Sequence, residues 1–125
     1  MRLLLDTHVI LWWLNNSQQL GQKARGAIAT STNMVYVSAV SVWEIVLKRS
    51  LGKLEIPDNW IEALAEEPFC ALPVTWEHAI GVGRLPDLHR DPFDRLLLAQ
   101  AVAENLTIVT HDEAIIRYRF PTLRM

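Results

Sequence analysis

Short apolar runs alternate with longer stretches of helical character along this chain, and that alternation narrows the possible folds sharply. The runs are Leu3 to Leu5, Met34 to Val37, Phe69 to Val74 and Thr107 to Thr110. Leu3-Leu4-Leu5 has no polar alternation, as expected of a strand buried on both faces. Strands that each feed a helix predict a parallel sheet, because parallel neighbours need a long crossover. The expected class is therefore α/β, with helices on both faces of the sheet. Such sheets place their sites at the carboxyl ends of strands, where strand order reverses.

The helices announce themselves by their ends. Residues 9–14 and 18–29 read as helices. Residues 39–51 form another, opened by Ser38 or Ser41 and closed by Gly52. Pro57 and Asp58 are expected to open a helix to about Glu67. Thr75 caps one reaching about Val82, and residues 83–90 form a loop. Asp91 caps a helix with Pro92 at its first position, running to about Asn105. Residues 112–117 suit a short helix, and the tail adds an edge strand near Leu123. At 125 residues the whole chain, 1–125, reads as a single domain.

Composition removes several classes. Half the residues are hydrophobic, which excludes a disordered chain. A single cysteine, Cys70, excludes an intrachain disulfide and a cysteine-based zinc site; it reads as a small core residue. No apolar run is long enough to span a bilayer. Asp6 and His8 interrupt the apolar N-terminus, and no cleavage site follows, so a signal peptide is not expected and a cytoplasmic location is. His8, His78, His89 and His111 lack zinc spacing, although His8 and His111 lie beside acidic residues that they could orient. No glycine-rich phosphate loop is present. An aspartyl-phosphate mechanism would need a second aspartate where His8 stands. Trp43 and Trp60 are expected in the core. Trp12 and Trp13 are adjacent, so one of them is left for a dimer contact or a partner's groove.

The acidic residues occupy costly positions. Asp6 directly follows the first strand, and Asp112 follows the fourth after one residue. If those strands are neighbours, as in a 3-2-1-4 order, the two carboxylates converge. Each could otherwise cap a turn or a helix. Asp94 shares a helical face with Leu97, Leu98 and Ala101, where an unpaired carboxylate is expensive. Its alternative role is a capping box with Asp91. Glu44 lies in an apolar helix start, and Ser41-Val42-Trp43-Glu44 also fits a capping box. Four carboxylates on one edge would repel one another unless a cation neutralised them. Oxygen-only ligands favour Mg²⁺ or Mn²⁺, one or two ions per site.

Four segments in order, LLLDTH, SAVSVWEI, DPFDRLLLAQA and TIVTHD, resemble the PIN-domain family, and within it the VapC-type ribonuclease toxins of type II toxin–antitoxin pairs. The resemblance covers essentially the whole chain. It implies a small three-layer α/β/α sandwich with a central parallel sheet of four to five strands in the order 3-2-1-4(-5). It also implies a metal-dependent endoribonuclease that cuts single-stranded or loop RNA by metal-activated water, leaving 5′-phosphate and 3′-hydroxyl ends. By position, the catalytic and metal-binding acids fall on Asp6, Glu44, Asp94 and Asp112, with Asp91 as the rival to Asp94. Thr7 and Thr110 match positions where the family places a hydroxyl near the metal. His8 stands where many relatives carry asparagine. The partners implied are an RNA substrate, an antitoxin protein and a second copy of the chain. A catalytically weak module that binds RNA or protein is the alternative. A structure-specific DNA nuclease of related fold would need insertions that this chain lacks.

Net charge first argues against nucleic acid. It is −2, from 12 basic and 14 acidic residues, whereas a basic excess is the usual footprint. Setting the four proposed ligands aside leaves 10 acids against 12 bases. Between Leu54 and Gly83 lie six acids and no lysine or arginine. The bases therefore flank the proposed site, and Lys48, Arg49, Arg84, Arg90 and Arg95 are the candidates for RNA contact.

Overall fold

A computed structural model describes residues 1–124. Five parallel strands form one sheet: β1 (Arg2–Leu5), β2 (Met34–Ser38), β3 (Cys70–Leu72), β4 (Thr107–Thr110) and β5 (Thr122–Arg124), in the order β3-β2-β1-β4-β5. The expected order holds, including the edge strand at Leu123. The helices are α1 (Thr7–Leu14), α2 (Gln22–Ala29), α3 (Ala39–Ser50), α4 (Trp60–Ala65), α5 (Trp76–Gly81), α6 (Pro92–Glu104) and α7 (Glu113–Ile116). A 3-10 turn at Val82–Arg84 follows α5.

Side chains on a strand alternate between faces, so β1 feeds two cores. Leu3 and Leu5 join Val35, Val37 and Val109 under α1, α2, α3 and α4. Leu4 joins Leu72 and Ile108 under Leu97, Leu98 and Ala101 of α6. All three β1 leucines are fully buried, which is why this strand shows no polar alternation. The result is a sandwich of helices, sheet and helices. No helix among the described residues is long and apolar enough to cross a membrane.

Several ends follow local chemistry. Asp91 accepts from the N–H groups of Phe93 and Asp94 and caps α6 with Pro92 at its start. Thr75 and His78 form a reciprocal capping box on α5. Other expectations are corrected. Of the two serines, Ser38 caps α3, so Ser41 and Glu44 form no capping box. The helix expected from Pro57 begins only at Trp60, with Asn59 at its N-cap and no side-chain cap, and Asp58 lies in the preceding turn beside Arg49. Trp60 is buried as expected, but Trp43 is 53% exposed and lies against Phe93. Trp12 and Trp13 are both half-buried, the first packing on His111 and the second on Phe69.

Candidate active site

Strand order reverses between β1 and β4, and their carboxyl ends deliver Asp6 and Asp112 to the same edge. One hydroxyl bridges them. Thr110 Oγ1 donates to Asp6 Oδ2 at 2.6 Å and accepts from the Asp112 N–H at 3.0 Å. Asp6 is buried, and that burial pushes its carboxyl up from the ordinary range despite the Thr110 hydrogen bond and the charge of His8. Asp112 also caps α7 through the Ala114 N–H at 2.9 Å. Capping and site membership are compatible, since each carboxylate has two oxygens.

Asp94 enters from the first turn of α6 and returns no bond to Asp91, so the capping box expected as its alternative is not formed. Its carboxyl is pushed up to about 8, first by burial and then by the charges of Asp91, Asp6, Asp112 and Glu44. Five carboxylates therefore share one electrostatic environment. His89 Nε2 stands 3.3 Å from Asp94 Oδ2.

Glu44 belongs to the same neighbourhood but is already engaged. The Thr7 hydroxyl donates to its Oε1 at 2.7 Å, with Ser41 Oγ 3.0 Å from that hydroxyl. Lys48 bonds the other oxygen. The Lys48 ammonium is held charged by Glu44 first, with Asp91 and Asp94 adding to the effect. Lys48 thus faces the acidic cluster. His8, Trp12 and His111 form an aromatic group beside Asp6 and Asp112, with the Trp12 and His111 centroids 4.6 Å apart.

The remaining basic candidates divide. Arg84 and Arg90 are exposed and make no ion pair among the described residues. Arg49 pairs with Asp58. Arg95 departs from its expected role along an RNA backbone: its guanidinium donates inward to Val82 O, Pro86 O and the Tyr118 hydroxyl. Those bonds tie the preceding loop to α6. His78 is structural, buried between the α5 cap and Glu104. By sequence His89 counts only among the histidines that lack zinc spacing, and Tyr118, which reaches Asp94 through His89, is passed over.

Among the described residues, no three acidic, histidine or cysteine side chains are gathered closely enough to enclose a metal ion as they stand. Mg²⁺ commonly takes one or two carboxylates directly and keeps several waters, so a loose ring of acids suits it without a closed cage. Burial first, and then the charges of the neighbouring acids, disfavour an ionised Asp94, a cost that a bound cation would offset. The donor chemistry fits a hard divalent ion. An apolar trough of about 530 Å³ lies elsewhere, lined by residues including Val42, Ile61, Leu64 and Phe69.

Comparison with known proteins agrees with this layout. The PIN-domain family model matches residues 3–121. This chain is a PIN-domain protein of the VapC type. It is 32% identical over 122 residues to Ribonuclease VapC22 of Mycobacterium tuberculosis, covering 94% of this chain and 92% of the relative. The PIN fold superposes on VapBC2 from Rickettsia felis bound to a DNA fragment from its promoter. That match has a TM-score of 0.75 at 16% identity and covers 99% of this chain and 98% of the other. A toxin–antitoxin complex from Klebsiella pneumoniae matches at a TM-score of 0.67 and 16% identity, covering 96% of this PIN domain and 94% of that chain.

Proposed function

We propose that this PIN domain is a divalent-metal-dependent endoribonuclease acting on single-stranded or loop RNA, as the toxin of a toxin–antitoxin pair. The observation that carries the reading is the convergence of Asp6, Asp94 and Asp112 at the strand-order reversal, with the Asp94 carboxyl pushed up to about 8 by burial and then by the charges of neighbouring acids. The name of the VapC22 relative supports ribonuclease chemistry.

Asp6, Asp94 and Asp112 would hold one or two Mg²⁺ or Mn²⁺ ions, with Glu44 joining through its Thr7-bound carboxylate. A bound ion supplies a lowered water pKa and stabilisation of charge on the scissile phosphate. Thr110 fixes the orientation of Asp6, and Asp91 holds the start of α6 so that Asp94 stays on the shared edge. The Lys48 ammonium faces the cluster and is available to a phosphate oxygen. The aromatic group of His8, Trp12 and His111 offers rings for a neighbouring base to stack on.

The antitoxin and homodimer readings rest on relatives and surface. A fold neighbour is described as a toxin–antitoxin complex, and the open apolar trough beside α3 and α4 suits an amphipathic segment of a partner. The alternative, a module that binds RNA without turnover, is favoured by one observation: both Glu44 oxygens are already engaged. The test is cleavage of single-stranded RNA by the purified chain. Cleavage that requires Mn²⁺ or Mg²⁺, stops with chelator and is lost in Asp94→Asn is the expected result. Metal-independent cleavage, or none with either ion, would reject the metal-dependent reading.

A further inference from the structure

A hydrogen-bond chain ends on Asp94, and its direction is set once Asp94 is ionised as a cation ligand. It begins at Arg95, whose guanidinium has no acceptor. Arg95 Nη1 donates to the Tyr118 hydroxyl at 3.0 Å. That hydroxyl lies 2.6 Å from His89 Nδ1, and His89 Nε2 lies 3.3 Å from Asp94 Oδ2. With a cation bound Asp94 is ionised and can only accept, so in that state His89 Nε2 must carry a proton. In the neutral ring Nδ1 then accepts the Tyr118 hydrogen, and every donor in the series finds an acceptor.

The scaffold around His89 is built for fixed geometry. Arg95 also donates to Val82 O at 3.2 Å, to Pro86 O at 3.0 Å and to His89 O at 3.4 Å. Arg117 donates to Leu88 O at 3.2 Å. The loop is thus tied from two sides. Tyr118 is buried and meets the His89 ring edge-to-face at 5.3 Å. Packing alone could be served by another aromatic ring, but restraining the carboxylate takes a hydrogen-bond donor at this position, here the His89 N–H. Among the described residues, Asp94 Oδ1 has no hydrogen-bond partner.

We propose that His89 is a positioning residue, whose Nε2–H holds Asp94 through Oδ2 and leaves Oδ1 for a divalent cation, with Tyr118 and Arg95 fixing the imidazole. The inference rests on reading Asp94 as a cation ligand. Partners of this kind typically change metal affinity by roughly 10–100-fold.

Mn²⁺ binding to the purified full chain, followed by the loss of the free-ion electron paramagnetic signal, separates the two readings. Asp94→Asn is expected to lose tight Mn²⁺ binding. His89→Ala is expected to bind roughly 10–100-fold more weakly while keeping the wild-type circular dichroism spectrum. His89→Gln, which restores an N–H near the Nε2 position, is expected to recover most of the affinity. Tyr118→Phe is expected to fall between wild type and His89→Ala. Wild-type Mn²⁺ affinity in His89→Ala, alongside lost binding in Asp94→Asn, overturns the role of His89 alone. Equal weakening in His89→Ala and His89→Gln also overturns it, because the N–H would not be the operative feature. Unchanged binding in Asp94→Asn overturns both the ligand reading and the inference built on it.

Discussion

Burial and the surrounding acids push the Asp94 carboxyl from 3.8 up to about 8, so the metal-free protein holds a proton there at neutral pH. The unfolded chain releases that proton near 3.8, whereas the folded chain keeps it until about 8. Across that window the folded state binds more protons, so stability falls as pH rises. Asp6 is shifted in the same direction and adds to the slope. With chelator present, the melting temperature is therefore expected to be lower at about pH 9 than at about pH 5, and Mn²⁺ should narrow or reverse the gap. A melting temperature that rises over this range without metal would contradict the assignment. Asp94→Asn removes the repelled charge but keeps the side-chain volume. It is expected to abolish RNA cleavage, flatten the pH slope and raise the metal-free melting temperature at about pH 9 by a few degrees. Gel-resolved cleavage and thermal melts on the same preparation check both halves. Unchanged cleavage by Asp94→Ala would remove this residue from the proposed site.

Ser38 illustrates how the elements are held in register under the site. Its buried Oγ accepts from the Val40 N–H at 3.0 Å, capping α3, and donates to Gln100 Oε1 of α6. Gln100 in turn donates to Pro73 O, just beyond β3, at 3.2 Å. Ser38→Ala would remove the cap and leave a buried amide oxygen without its partner. The expected cost is about 1–3 kcal/mol, seen as a lower urea midpoint with an unchanged slope. Cleavage per folded molecule should stay near wild type, and an unchanged midpoint would show that the clamp contributes nothing. The same junction shows where sequence reading stops. Asp91 with Pro92, and Thr75 before its helix, carry their capping chemistry within three residues, so both helix starts were legible. Ser38 and Ser41 fit equally well locally, and only burial against Gln100 separates them. The α4 start at Trp60 has no side-chain cap, so no local capping signal marked it. Asp6, Asp94 and Asp112 were legible because strand ends and an apolar helix face mark them. The bond from Tyr118 to His89 was not, because nothing in the local pattern joins the C-terminal segment to the loop before α6, and the bond from His89 to Asp94, five residues apart, follows no helical or capping spacing.

At the scale of the whole molecule, a net charge of −2 averages an acidic site, an acidic flank and an exposed basic fringe. The structure sorts the five basic candidates by what each donor already does. Arg95 holds the loop, Lys48 bonds Glu44, and Arg49 pairs with an exposed aspartate, an interaction that water and salt weaken. Arg84, in the 3-10 turn after α5, and Arg90, next to the cap of α6, remain exposed and make no ion pair among the described residues. On the proposed RNA reading, they are the two of the five candidates left exposed and without an ion pair to meet phosphates. Neutralising a phosphate on single-stranded nucleic acid releases counterions and steepens salt dependence by roughly 0.7 per contact. Replacing both arginines by alanine is therefore expected to weaken single-stranded RNA binding and to reduce the log–log salt slope by about 1.4. Because neither residue touches the carboxylates, the cleavage rate at saturating RNA should remain close to wild type. Fluorescence anisotropy over a salt series, using Asp94→Asn in place of the cleaving protein, measures the slope without substrate loss. An unchanged slope would move the RNA path away from the loop before α6. Attention would then shift to Lys48 and the His8, Trp12 and His111 face. A fallen slope with an equally fallen saturating rate would mean that the arginines order the site itself.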